Sequence, residues 1–205
     1  FNRENVDLID TGGLGVEKIT PNGVVVAGQE YEVDCIIFAT GFEVGTGYER
    51  RAGCEVIGAD GRTLTEKWDE HGVSTLHGLQ TSGYPNHFML SANQGAFTVN
   101  FPHLLEEAAR NAVCIIKHVV DEGYLTVDVE QEAEDEWVKT IIEKTRGPIG
   151  AGPGSTECTP GYYNNEGHLN EKARQGAPYG GGSVEFFKLM EDWRDKGDFK
   201  GLKFK

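Results

Sequence analysis

Cys35-Ile36-Ile37-Phe38-Ala39 is apolar at every position. A strand with one wet face alternates apolar and polar residues. An unbroken run of this length implies burial on both faces, as in a parallel sheet covered by other layers. The run stops at Thr40-Gly41, where the chain must turn sharply. The residues before it also read as β-structure. Val6 to Ile9 is a short strand, and Val16 to Thr20 follows. Pro21-Asn22-Gly23 is a turn, Val24-Val25-Val26 the return strand, and a second turn at Gly28 leads to Tyr31-Glu32-Val33.

Helices dominate what comes after. Leu64 to Trp68 reads as a short helical turn, and Phe88-Met89-Leu90 as a second buried strand entering the polar loop Ser91 to Gly95. From Pro102 to Glu122, Leu104, Leu105, Ala108, Ala112, Ile115, Ile116, Val119 and Val120 recur at helical spacing. Asn100 is placed to cap that helix and Gly123 to stop it. A second helix is predicted from Val129 to Arg146, with Asp128 as cap and Gln131 completing a capping box. A third is predicted from Ser183 to Lys196, ended by Gly197. Between the last two lies 147–182, rich in Gly, Pro and Asn. An irregular stretch that long is usually functional or mobile.

Charge narrows the function classes. The net is −14 from 19 basic and 33 acidic residues, and no Lys/Arg run is present. That argues against a phosphate-neutralising nucleic-acid binder and against an anionic membrane surface as partner. No apolar run approaches the length of a membrane span. Cys35, Cys54, Cys114 and Cys158 contain no Cys-x-x-Cys pair, which fits a reducing, cytoplasmic compartment. The chain opens Phe1-Asn2-Arg3, with no initiator Met and no signal peptide, as expected of a piece of a longer protein.

Few residues point to chemistry by themselves. None of the six histidines stands at metal-ligand spacing, so they read as surface or hydrogen-bonded residues. The acids from Glu130 to Glu136 read as a solvated helix face. The serines lack a nucleophile elbow. The stretch from Gln94 to Leu105 is more telling. A helix start at Asn100-Phe101 offers unpaired N–H groups and partial positive charge to an electron-rich ligand, and Phe101 offers a packing face. An ordinary capped core helix would carry the same residues.

Resemblance adds to this reading. The Gly-rich meander, Asp34, the apolar strand and Ala39-Thr40-Gly41-Phe42-Glu43 resemble the end of the NADPH domain in two-dinucleotide flavoproteins. Leu79-Gln80-Thr81-Ser82-Gly83-Tyr84-Pro85-Asn86-His87-Phe88-Met89-Leu90 resembles the Gly-Phe-Pro-Asn-leading strand of Baeyer–Villiger monooxygenases. Asn100 to Glu106 resembles the segment beside the flavin in that family. Glu132 to Val138 resembles its acidic helix with a Trp, and Tyr179 to Gly182 with Trp193-Arg194 and Gly201 to Phe204 its C-terminal tail. The match spans the chain in order and is closest to class I enzymes of the branch acting on large cyclic ketones.

The resemblance implies an α/β chain forming the C-terminal part of an FAD/NAD(P)-binding fold. Residues 1–41 would end the NADPH domain, and 42–205 would complete the FAD domain, with a mobile control loop at 147–182. It implies oxygen insertion beside a ketone carbonyl, using FAD and NADPH, with the ketone and the remainder of the enzyme chain as partners. Cofactor contacts are expected from Gln94, Thr98, Asn100, Phe101, Cys158 and Tyr163, and no catalytic acid, base or nucleophile. Both Gly-x-Gly-x-x-Gly fingerprints, the family signature between them and the family's catalytic Arg are absent from this sequence, so the chain alone is expected to be inactive. The alternatives are an N- or S-oxygenating flavin monooxygenase and a non-catalytic binding module.

Overall fold

The structure is a computed structural model describing residues 1–42, 46–145 and 172–205. It opens with a three-stranded antiparallel meander, β1 (Lys18–Ile19), β2 (Gly23–Val26) and β3 (Gln29–Glu32). Val24 faces Tyr31 and Val25 faces Glu30, and Val25 and Val26 are buried. The predicted turn residues place these strands where expected.

Two predicted strands are not formed. Val6 to Ile9 is irregular and exposed. The 35–39 run enters no ladder either, and Ile37 and Phe38 are 85% and 73% exposed. A strand buried on both faces needs neighbours on each side and layers above and below. No described segment supplies them. Phe88 to Leu90 is extended but unladdered, held by one backbone bond from Met89 N to Leu79 O of 2.7 Å.

Two short helices follow, α1 (Tyr48–Ala52) and α2 (Leu64–His71). The second outruns its prediction because Thr63 and Glu66 form a reciprocal capping box and Gly72 ends it. Leu64, Tyr84 and Met89 form a small core with Tyr48, Val56 and Trp68 packed around it.

The main core gathers on three longer helices. α3 (Phe101–Asp121) buries Leu104, Asn111, Ala112 and Ile115, and Asn100 caps it by accepting from His103 N at 3.3 Å. Its other apolar stripe is open: Val113, Ile116 and Val120 are exposed. α4 (Gln131–Lys144) contributes Trp137 and Ile141, and α5 (Ser183–Lys196) contributes Phe186 and Met190. Gly197 closes α5 in the left-handed conformation, as predicted.

The predicted start of α4 is corrected. Val127–Val129 is a strand, β4, antiparallel to β5 (Leu202–Phe204). Both valines are buried, so their alternation outweighs the capping signature. Asp128 accepts from Gly83 N at 3.0 Å and Val129 N at 2.8 Å instead of capping a helix. Glu130 takes the cap position without a side-chain bond.

Among the described residues, no helix is long and apolar enough to cross a membrane.

Candidate functional site

The loop from Ser91 to Asn100 joins the extended 88–90 segment to α3. Its pivot is Gln94, wholly buried and at φ 57°. Left-handed backbone is uncommon outside glycine, so the surroundings must hold it. They do so completely. Oε1 accepts from Thr75 N at 2.9 Å and from Thr75 Oγ1 at 2.6 Å. Nε2 donates to Val73 O and to Gln175 O, both at 2.8 Å. Gln94 N donates to Ala177 O at 3.0 Å, and Gln94 O accepts from Trp137 Nε1 at 3.0 Å. All side-chain hydrogen-bonding positions of this amide are therefore engaged inside the chain.

Neighbouring backbones lie close. A Cβ on Gly78, itself at φ +72°, would stand 2.7 Å from Asn93 O, so only glycine lets the 76–80 turn approach the loop. Tyr179 N donates to Gly95 O at 2.8 Å, and the Tyr179 ring stacks on Trp137 at 5.6 Å with 3° between planes.

Beyond buried Ala96 the chain turns outward. Phe97, Val99 and Phe101 alternate along the loop and are 47%, 105% and 47% exposed. Thr98, half-buried, accepts from Asn100 N at 3.4 Å through Oγ1. The first turn of α3 is less open to a ligand than the sequence implied. His103 N is taken by the Asn100 side chain, Leu104 N bonds Asn100 O, and Pro102 has no N–H. That leaves the Phe101 N–H as the first-turn donor with no acceptor among the described residues. This stretch thus presents three exposed apolar side chains, one N–H without an acceptor among the described residues, and one hydroxyl.

Two further features border the loop. Ser91 and Asn93 line a cleft of about 260 Å³ with Tyr48, Trp68, Phe88 and Met89. His77, at φ 56°, packs edge-on to Trp137 at 4.8 Å and to Trp193 at 5.3 Å, and burial pushes its pKa down to about 4.

The sequence-derived cofactor residues Gln94, Thr98, Asn100 and Phe101 thus fall on one loop and one helix start. Cys158 and Tyr163 lie outside the described residues. The described end of the 147–182 stretch is packed: Tyr179 is buried, and Gln175 also donates to His71 O at 3.0 Å.

Other features were not anticipated. The acids from Glu130 to Glu136 are not one solvated face, because Glu134 is fully buried. Its Oε1 lies 2.8 Å from Lys67 Nζ, and its Oε2 accepts from Thr81 Oγ1 at 3.1 Å and Ser82 N at 2.5 Å. Glu134 shares a helical face with Trp137 and Ile141, which is the signal that could have revealed it.

Known proteins resemble the chain along its whole length. No family model matches it. It is 44% identical to pentalenolactone D synthase of Streptomyces exfoliatus over all of its length and 35% of that enzyme. It is 41% identical to Baeyer-Villiger monooxygenase 4 of Dietzia sp. strain D5, over all of its length and 32% of that protein. Among solved structures it is similar to the polycyclic ketone monooxygenase of the thermophilic fungus Thermothelomyces thermophila, with TM-score 0.79, 32% identity, full coverage of this chain and 33% of the other. An oxidized steroid monooxygenase bound to NADP gives TM-score 0.74 and 26% identity, covering 99% of this chain and 36% of the other. The chain spans about a third of the length of the curated relatives it matches. With that identity sustained along its whole length, and with the fold of their C-terminal portion, the chain is a C-terminal segment belonging to the flavin-dependent Baeyer–Villiger monooxygenases.

Proposed function

We propose that the protein to which this segment belongs is an NADPH- and FAD-dependent monooxygenase that converts a large cyclic ketone to a lactone or ester. The observation that carries the reading is the exposed apolar ridge Phe97, Val99 and Phe101, set at a helix start in a chain aligned end to end with such enzymes. The name of the polycyclic ketone monooxygenase favours a large ring as substrate. The three described cysteines are free thiols, which supports a reducing cytoplasm.

FAD, when bound, would supply the oxygen activation, with electrons from NADPH. The residues here would hold and shield it. Phe101, with Phe97 and Val99, would pack against the ring and exclude water. The Phe101 N–H and the Thr98 hydroxyl would meet its polar edge, Asn100 would set the angle at which α3 leaves the site, and Gln94 would fix the loop. Residues 147–182, with Cys158 and Tyr163, would face the NADPH side. Residues 1–41 would end the NADPH domain and 42–205 complete the FAD domain.

The test is the full-length protein, purified with FAD and given NADPH and a panel of cyclic ketones. Ketone-dependent NADPH oxidation with a product gaining one oxygen atom is expected. Oxygenation of amines or sulfides with ketones inert would overturn the reading.

A further inference from the structure

A glutamine side chain withdrawn entirely from water loses its solvent hydrogen bonds, and left-handed backbone adds strain. Gln94 carries both burdens, and six hydrogen bonds to other parts of the chain offset them. Those bonds reach three separate segments: Val73 to Thr75, Trp137 on α4, and Gln175 to Ala177. The residue itself lies three positions before Phe97. No other side chain of this length supplies two donors and two acceptors. Glutamate loses the donors to Val73 O and Gln175 O, methionine loses all four side-chain bonds, and asparagine is too short by one methylene.

We infer that Gln94 is a positioning residue, and Trp137 its partner: together they fix where the Phe97–Phe101 ridge stands relative to the flavin ring. This deepens the function proposed above and rests on it. The mechanism is mechanical. One amide clamps the loop to two segments that Gln175 also ties to each other through His71 O, while the Trp137 indole N–H fixes the loop carbonyl. Released from these bonds, the backbone leaves the left-handed region and the ridge moves with it. A displacement of about an ångström at a reacting centre is enough to lower rates by about two orders of magnitude.

The experiment compares wild type, Gln94→Met, Trp137→Phe and Ile141→Val in the full-length enzyme incubated with FAD. Ile141→Val thins the same core and removes none of the Gln94 hydrogen bonds. Hydrogen peroxide formed per ester is measured, together with amide exchange across residues 95–101. Gln94→Met is expected to raise the peroxide ratio about tenfold and to speed loop exchange about tenfold. Trp137→Phe should move both in the same direction by less, and serves alone if Gln94→Met does not fold. Ile141→Val should leave both unchanged. Wild-type values in the Gln94 and Trp137 variants, or an equal rise in Ile141→Val, would overturn the positioning role. A wild-type protein that takes up no FAD and makes no ester would instead sink the proposed function. The exchange comparison is still read on that protein, and equal loop exchange would overturn the positioning role there too.

Discussion

His77 packs edge-on against two indoles, where burial disfavours its positive charge, and that makes it an acid-sensitive point of the fold. Burial lowers its pKa from 6.5 to about 4. The unfolded chain binds the proton near pH 6.5, whereas the folded chain resists it until about pH 4. The stability this contributes is complete above pH 6.5 and is lost as pH falls toward 4. A shift of that size is worth up to about 3 kcal/mol. His87, half-buried, is lowered in the same direction by burial. His77→Asn keeps a side chain that tolerates left-handed backbone and removes the titration. Urea midpoints at pH 7 and pH 4.5 should differ markedly less in the variant than in wild type, and an unchanged difference would reject the assignment. Phe101 calls for another variant. Half exposed already, it contributes little to the core, so Phe101→Ala should cost less than about 1 kcal/mol of stability. In the full-length enzyme the same change should divert NADPH consumption toward hydrogen peroxide. Unaltered coupling to product would remove Phe101 from the flavin wall.

Between elements, the telling contact is the buried pair of Lys67 on α2 and Glu134 on α4. It joins the small core around Leu64 to the main one. Thr81 Oγ1 accepts from Lys67 Nζ at 2.8 Å, and Ser82 O does so at 2.9 Å, so the pair also pins the 81–82 turn. Such pairs add modestly to stability, but breaking one leaves a bare buried charge. Lys67→Met should therefore cost about 3–5 kcal/mol, and Lys67→Met with Glu134→Leu should recover much of that loss. Chemical denaturation of the two variants checks this, and additive losses would contradict it. Periodicity in the sequence revealed α3 and α5, because an amphipathic face and terminal glycine are local properties. It missed β4 and β5, since a three-residue strand is defined by a partner remote in sequence. It missed the burial of Glu134 because the acids around it, at other angles on α4, do face solvent. The loop from Gln94 to Phe101 was legible as a polar turn leading into a capped helix, but the inward direction of Gln94 was not. A left-handed turn reverses which residues point out, and nothing in Asn-Gln-Gly announces that turn.

At the scale of the molecule, the unladdered 35–39 run explains most about how this chain behaves. Its sequence demands a sheet on both sides, and Ile37, Phe38 and Phe42 are left 85%, 73% and 81% exposed. Val113, Ile116 and Val120 make a second open stripe on α3. Exposed apolar patches of this kind mark surfaces that another part of a protein covers. The relatives are about three times as long as this chain, so the covering surface is available in the rest of such an enzyme. The 205-residue polypeptide alone should therefore bind a hydrophobic dye, self-associate at micromolar concentration and show no ketone-dependent NADPH oxidation. Added as a separate chain, the preceding two-thirds of the enzyme should suppress dye binding and protect the amides of 35–39 from exchange, as strand pairing requires. Dye fluorescence, light scattering and amide exchange follow these changes directly. A monomeric chain that ignores the dye, or one that turns over ketone unaided above a free-flavin blank, would show that the open run needs no partner and that the site is complete without it.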